Sequence, residues 1–436
     1  MESRPLPLSG SSAPSVSFGE AFRFWLKLGF ISFGGPTGQI AIMHQELVER
    51  RRWISEQRFL HALNFCMVLP GPEATQLATY IGWLMHRTWG GIVAGTLFVL
   101  PSVFILILLS WIYVTYGNVP LVAGIFYGIK PAVVAIVLAA AWRIAQRALR
   151  HIALWGLAAA AFIAIFAFDA PFPAIVLAAG IIGYLGGQHA PRIFTSGAGL
   201  STAKTGYGPA LIDDDTPTPA HALFSWTKLA AYAGTGLALW AAAIGVLAAA
   251  GGWQGTLVQM GMFFSQAALL TFGGAYAVLP YVYQGAVEHY GWLTGPQMID
   301  GLALGETTPG PLIMVVAFVG YLGAGTAGAL VAAFFTFLPS FVFIFAGAPF
   351  VETTHGNLKF SAPLTGITAA VVGVIVNLAL FFAWHVLWPQ GTGGAFEWLS
   401  ALIGGAAFVA LFRFKAGIMP VIGACALAGL AVTLLR

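Results

Sequence analysis

The chain has 436 residues, of which 59% are hydrophobic and only 8% charged, with a net charge of +4. Globular proteins carry about 25% charged residues, so this composition excludes a soluble globular fold or a nucleic-acid-binding protein and implies an all-α polytopic chain in a lipid bilayer. Its two cysteines, Cys66 and Cys425, lie in apolar runs and no Cys/His cluster has ligand spacing, so no disulfide, metal or other cofactor is expected.

In chain order, residues 1–19 are rich in Pro, Ser and Gly and lack an apolar core, which reads as a flexible tail. Two interrupted apolar stretches follow. The first, 24–48, is broken at Ser32-Phe33-Gly34-Gly35-Pro36-Thr37, and the second, 58–86, at Leu69-Pro70-Gly71-Pro72-Glu73-Ala74-Thr75. Pro70 and Pro72 remove two backbone donors and Gly71 frees the turn. Stretches long enough for about 30 Å of hydrocarbon then fall at 90–116, 120–141, 151–168 and 171–187. A polar linker, 188–225, carries Asp213-Asp214-Asp215, expected in solvent, and leads to one further apolar run at 226–249.

Beyond it the pattern restarts, with broken stretches at 256–287 and 296–323 and spans at 325–350, 361–388, 396–413 and 416–435. Phe33-Gly34-Gly35 matches Phe272-Gly273-Gly274, Glu49 matches Glu288, Trp53 matches Trp292, and Pro70-Gly71-Pro72 matches Pro309-Gly310-Pro311 in one register. One residue later in register, Leu100-Pro101-Ser102 matches Leu338-Pro339-Ser340. This is an internal repeat, 20–187 and 256–436, joined by the linker and the 226–249 helix.

Orientation follows from Lys and Arg. If both interrupted stretches of each half are re-entrant hairpins, all of the 19 Lys and Arg except Lys130 and Arg436 fall on or at the edge of the cytoplasmic side. The Arg50-Arg51-Arg52 loop has no Lys or Arg in its counterpart at 288–296, so the halves read as inserted upside down relative to each other. Arg50-Arg51-Arg52-Trp53 itself reads as a positive-inside anchor with an interfacial tryptophan.

Broken backbone at membrane depth is tolerated only inside protein or along a cavity, and paired breaks point to a transporter binding site. Each tip starts a new half-helix whose free N–H groups and partial positive charge suit an anion. The candidate substrate-binding residues are Gly34, Gly35, Thr37, Pro70, Gly71, Pro72, Thr75, Thr271, Gly273, Gly274, Thr307, Thr308, Pro309, Gly310 and Pro311, with the threonine hydroxyls as added donors. Lys130, the one basic residue inside a span, is the candidate counter-charge for an anion. Glu73 and Glu306, beside the Pro-Gly-Pro breaks, are candidates for proton coupling, and Glu73 equally for helix-dipole compensation. Asp300 and His61 are expected at solvated edges.

At Phe33-Gly34-Gly35-Pro36, Leu69-Pro70-Gly71-Pro72, Tyr80-Ile81-Gly82, Leu100-Pro101-Ser102 and Thr308-Pro309-Gly310-Pro311-Leu312, the sequence resembles the chromate ion transporter family in its long-chain, two-domain form. The resemblance implies chromate efflux across the bacterial inner membrane and chromate resistance, with sulfate as the expected competitor. The alternatives are a carrier of sulfate or another oxyanion and an anion channel of the same architecture. A membrane enzyme is disfavoured, and a homodimer is left open.

Overall fold

Ser17 opens the first helix by accepting a hydrogen bond from the Glu20 amide, and α1 (Phe18–Ile31) stops at Ser32. The computed structural model describes residues 16–33, 35–194, 207–354, 361–391 and 393–435. The α2 helix (Gly35–His44) widens into a π-helical turn at Gln45–Arg50; α3 (Glu56–Val68), capped by Ser55, stops at Leu69; and α4 (Glu73–Tyr116) begins directly after Pro72. Then come α5 (Pro120–Ala148), α6 (Ile152–Phe168), α7 (Phe172–His189), a single turn α8 (Pro191–Phe194) and α9 (Trp226–Gly251). The second half repeats this series: α10 (Thr256–Leu270), α11 (Ala275–Tyr283) with its own π-helical turn Gln284–His289, α12 (Gly295–Thr307), α13 (Val315–Thr354), α14 (Ser361–Leu387), α15 (Trp398–Phe412) and α16 (Ile418–Leu435). Among the described residues, seven helices are long and apolar enough to cross a membrane, and α6, α10 and α15 are shorter apolar helices.

Neither α4 nor α13 is straight. Residues twelve apart on a straight helix stand about 18 Å apart, yet a Cβ on Gly91 would lie 2.9 Å from the Thr79 carbonyl oxygen. The chain therefore doubles back at His86 and at Arg87, where φ is +57° and ψ −158°. It does so again at Ala324 and Gly325 (φ +61°, ψ −152°), where a Cβ on Gly320 would lie 2.9 Å from the Ala332 Cβ. Each is thus a half-helix (73–85, 315–323) folded against a spanning limb (88–116, 326–354), with small residues at 82, 90, 320 and 328 allowing the close approach.

Hydrogen bonds join the ends of the first-half helices to one another and to the linker. His86 Nε2 donates to the Val16 carbonyl at 3.0 Å and His221 Nε2 to the Trp83 carbonyl at 3.0 Å, while Ser55 N donates to the Ile212 carbonyl at 2.9 Å. The start of α1 and the end of the 73–85 half-helix thus meet, and the start of α3 is held by the docked linker. In the second half, Trp292 lies against Gly323, and Gln284 Oε1 accepts from Phe172 N at 3.0 Å. Trp89, Trp226, Trp253 and Trp398 are exposed at or beside helix ends, where interfacial aromatic residues sit.

Three sequence expectations change. Part of the linker is docked: Leu211 and Ile212 pair with 52–55 through backbone bonds, Ser55 Oγ donates to Asp214, Asp213 accepts from Ala210 N, and Arg58 donates to the Thr216 carbonyl. Asp213 and Asp214 thereby brace a docked loop, while Asp214 and Asp215 remain exposed to solvent as expected. Trp53 is 4% exposed and stacked under Arg51, 5.1 Å from its ring, so it belongs to the core and not to the interface. Asp300, expected in solvent, is 2% exposed because the α5 and α4 side chains Lys130 and Tyr113 close over it.

Candidate functional site

The four breaks meet two by two, each crossing built from one break of each half. Gly71 N donates to the Thr271 carbonyl at 2.8 Å, and Gly310 N donates to the Ser32 carbonyl at 2.8 Å. These are the same bond under exchange of the repeats. Ser32 Oγ donates to the Leu28 carbonyl at 2.6 Å and Thr271 Oγ1 to the Ala267 carbonyl at 2.7 Å, again in register. Only glycine serves at the crossing points, where φ is +124° at Gly71 and +104° at Gly310. A Cβ on Gly71 would lie 2.5 Å from Ser340 Oγ, and one on Gly310 2.7 Å from Ser102 Cβ. The spanning limbs thus press Ser340 and Ser102, themselves a matched pair, onto the broken turns.

A family model described as Chromate transporter matches residues 19–184 and 258–430, which covers both helical repeats and both crossings. The chain belongs to the chromate transporter family. It is 34% identical over 423 residues to a chromate transport protein of Pseudomonas aeruginosa, covering 95% of this chain and 92% of that one. It is 31% identical over 374 residues to a chromate transport protein of Cupriavidus metallidurans, covering 85% and 84%. A probable chromate transport protein of Synechococcus elongatus is 30% identical over 368 residues, covering 84% of each chain. No solved structure matches.

Within this family member, the structure divides the sequence-derived site residues. Gly34 lies outside the described residues. Gly35 starts α2 with φ +69°, and Gly273 and Gly274 have φ +80° and +98° ahead of α11. Pro70 offers its carbonyl to Gln76 Nε2 at 2.7 Å, Pro72 caps α4, and Pro309 and Pro311 flank the second crossing glycine. The threonines do not act alike. Thr37 is exposed, while Thr307 and Thr308 spend their hydroxyl protons on the Leu304 carbonyl at 2.9 and 2.7 Å, as Thr271 does on Ala267. Of the five, Thr75 is buried at 0% exposure with no partner for Oγ1 among the described residues.

Residues that sequence reading missed share the crossings. Ser340 is 2% exposed and its Oγ has no partner among the described residues; the same holds for Oε1 of Gln39 and Gln76. A buried polar group left unpaired costs about 1–3 kcal/mol, and four such groups stand at the broken turns. Ser340 was visible in the repeat, as the partner of Ser102; the glutamines, having no repeat mates of their own kind, left no such signal.

Two polar clusters flank the crossings. Tyr80 and Arg58 both donate to Glu352, with Arg58 Nη1 at 3.3 Å from Oε2. Lys130 Nζ lies 3.3 Å from Asp300 Oδ2, which also accepts from Tyr113. The charge at Lys130 is therefore matched within the protein. Glu306 accepts from the Tyr276 hydroxyl, and Glu73 occupies the first turn of α4 beside the crossing.

Proposed function

We propose that the chain exports chromate across the cytoplasmic membrane by alternating access, with the dianion held where broken helices of the two halves cross. The reading is supported most directly by the reciprocal crossings, which bring helix N-termini and strained glycines of both repeats together, with unpartnered buried hydroxyls at the Gly71/Thr271 crossing. The carrier unit comprises 20–187 and 256–436 as oppositely inserted repeats, joined by 188–225 and the helix at 226–249. The residues of the site are Gly35, Pro70, Gly71, Pro72, Thr75, Gly273, Gly274, Pro309, Gly310 and Pro311, and Lys130 serves Asp300 in place of the ligand. Proton coupling through Glu73 and Glu306 is the alternative drive, because an anion and a neighbouring carboxylate are accommodated together more easily when the carboxylate carries a proton.

A dianion leaving a cell that is negative inside gains about 2.3 kcal/mol per charge per 100 mV, so the potential supplies the driving force and chromate resistance the physiological outcome. Sulfate, with the same shape and charge, competes. The test is uptake of labelled chromate into inside-out vesicles with and without an imposed potential. Saturable uptake accelerated by an inside-positive potential and inhibited by sulfate is expected. Non-saturating uptake with single-channel currents would replace the carrier by a channel, and sulfate uptake without chromate uptake would change the substrate.

A further inference from the structure

We infer that the two crossings are unlike in chemistry and that one alone, Gly71 with Thr271, is the oxyanion seat, with the hydroxyls of Thr75 and Ser340 as its donors. The inference rests on the oxyanion reading above and narrows it. At the Ser32/Gly310 crossing, Gln39 Nε2 reaches both the Ser32 and the Gly310 carbonyls, so the protein fills that crossing with its own donor. The residue in register with Gln39 is Val278, which can make no such bond, and among the described residues no side-chain amide bridges the Gly71/Thr271 crossing.

The Gly71/Thr271 crossing carries a hydroxyl that the other does not. Thr75 sits in the opening turn of the 73–85 half-helix, and its register mate is the apolar Met314. Its hydroxyl and that of Ser340 are more than nine-tenths buried and unpartnered among the described residues. Gln76 ties the loop by its bond to the Pro70 carbonyl at 2.7 Å and leaves Oε1 as a third unpartnered atom. Two free hydroxyl protons beside a helix N-terminus are what an oxyanion recruits. Ser340 comes from the second half and Thr75 from the first, so an anion held between them bridges the halves. The Gln39 crossing is then a fixed pivot.

The experiment compares Thr75→Val, Ser340→Ala, Thr75→Ser and Ser102→Ala in proteoliposomes, reading KM and maximal rate for chromate, with gel filtration to verify folding. Loss of one hydrogen bond to an anion is worth at least about tenfold. Thr75→Val and Ser340→Ala should each raise KM at least about tenfold, with Thr75→Ser and Ser102→Ala within about twofold of wild type. Unchanged KM in the first pair, or an equal rise in Ser102→Ala, overturns the single seat. If wild type moves no chromate, the functional reading fails separately. The same variants are then read by thermal stabilisation with sulfate, molybdate and phosphate. Stabilisation of wild type that Thr75→Val and Ser340→Ala lose upholds the seat; equal stabilisation of wild type and both variants, or none in wild type, overturns it.

Discussion

Lys130 Nζ stands 3.3 Å from Asp300 Oδ2, and this contact ties α5 of the first half to α12 of the second. Asp300 is 2% exposed, whereas the Lys130 side chain keeps 31% of its surface. Removing one member of a buried pair costs about 3–5 kcal/mol, and the exposure of the lysine places this pair at the low end. Lys130→Gln and Asp300→Asn should each lower the melting temperature in detergent and impair transport. The Lys130→Gln/Asp300→Asn double variant should recover most of both. A double variant that stays folded yet inactive would return Lys130 to the ligand.

Gly71→Ala and Gly310→Ala should abolish chromate transport while leaving membrane insertion intact. Each adds a Cβ at φ above +100° and within 2.7 Å of a serine from the other half. A non-glycine residue in such a region is destabilised by more than about 1 kcal/mol. Normal transport by both variants would make the crossings packing kinks only.

The inverted arrangement is read by labelling. Gln45 and His289 are exposed at the bases of corresponding hairpins, and the native Cys66 and Cys425 are buried. Gln45→Cys and His289→Cys should react with an impermeant maleimide from opposite sides of the membrane. Reaction from one side would refute the inversion.

His221 gives the linker a pH dependence. Burial lowers its pKa from 6.5, the first cause, outweighing its bond to the Trp83 carbonyl. A histidine whose folded pKa is depressed binds fewer protons folded than unfolded, so its contribution is present above pH 6.5 and lost as pH falls through the lower, folded value. Limited proteolysis of the 207–225 segment should accelerate as pH falls below 6.5 and through the lower folded value, and His221→Gln should flatten that dependence.

Arg87 holds φ +57° at the first fold-back, where the second has Gly325. Such a conformation costs a non-glycine residue about 1–3 kcal/mol, partly offset by the freedom glycine gives the unfolded chain. Arg87→Gly should stabilise the protein by about 1 kcal/mol in thermal unfolding. A drop in stability would mean that the exposed arginine anchors the hinge at the interface.

The helices were legible because apolar length and Gly/Pro punctuation are local properties. The breaks at 32–35 and 69–72 were placed within a residue or two, and Ser102 and Ser340 were paired by register alone. What stayed hidden depends on partners far apart in sequence. Asp300 looked solvent-bound because it lies early in its helix, but Lys130 and Tyr113 cover it from other elements. The threonines looked equivalent by type, and only backbone geometry separates those bonded to their own helix from Thr75. Asp213 and Asp214 looked like free linker charges because their partners, Ala210 N and Ser55, owe their position to the docked loop.

The reciprocal bonds of Gly71 to Thr271 and Gly310 to Ser32 also bear on biosynthesis. While the first repeat emerges from the ribosome, the Gly71 amide has no native acceptor and the Ser32 carbonyl has only Gln39 Nε2, because Thr271 and Gly310 are not yet made. A buried backbone group without a partner is unfavourable in a lipid environment. The first pair of hairpins should therefore remain loosely inserted, and open to quality-control proteases, until α10 and α12 arrive to complete them. Assembly of this transporter is then a single late event, timed by translation of its second half.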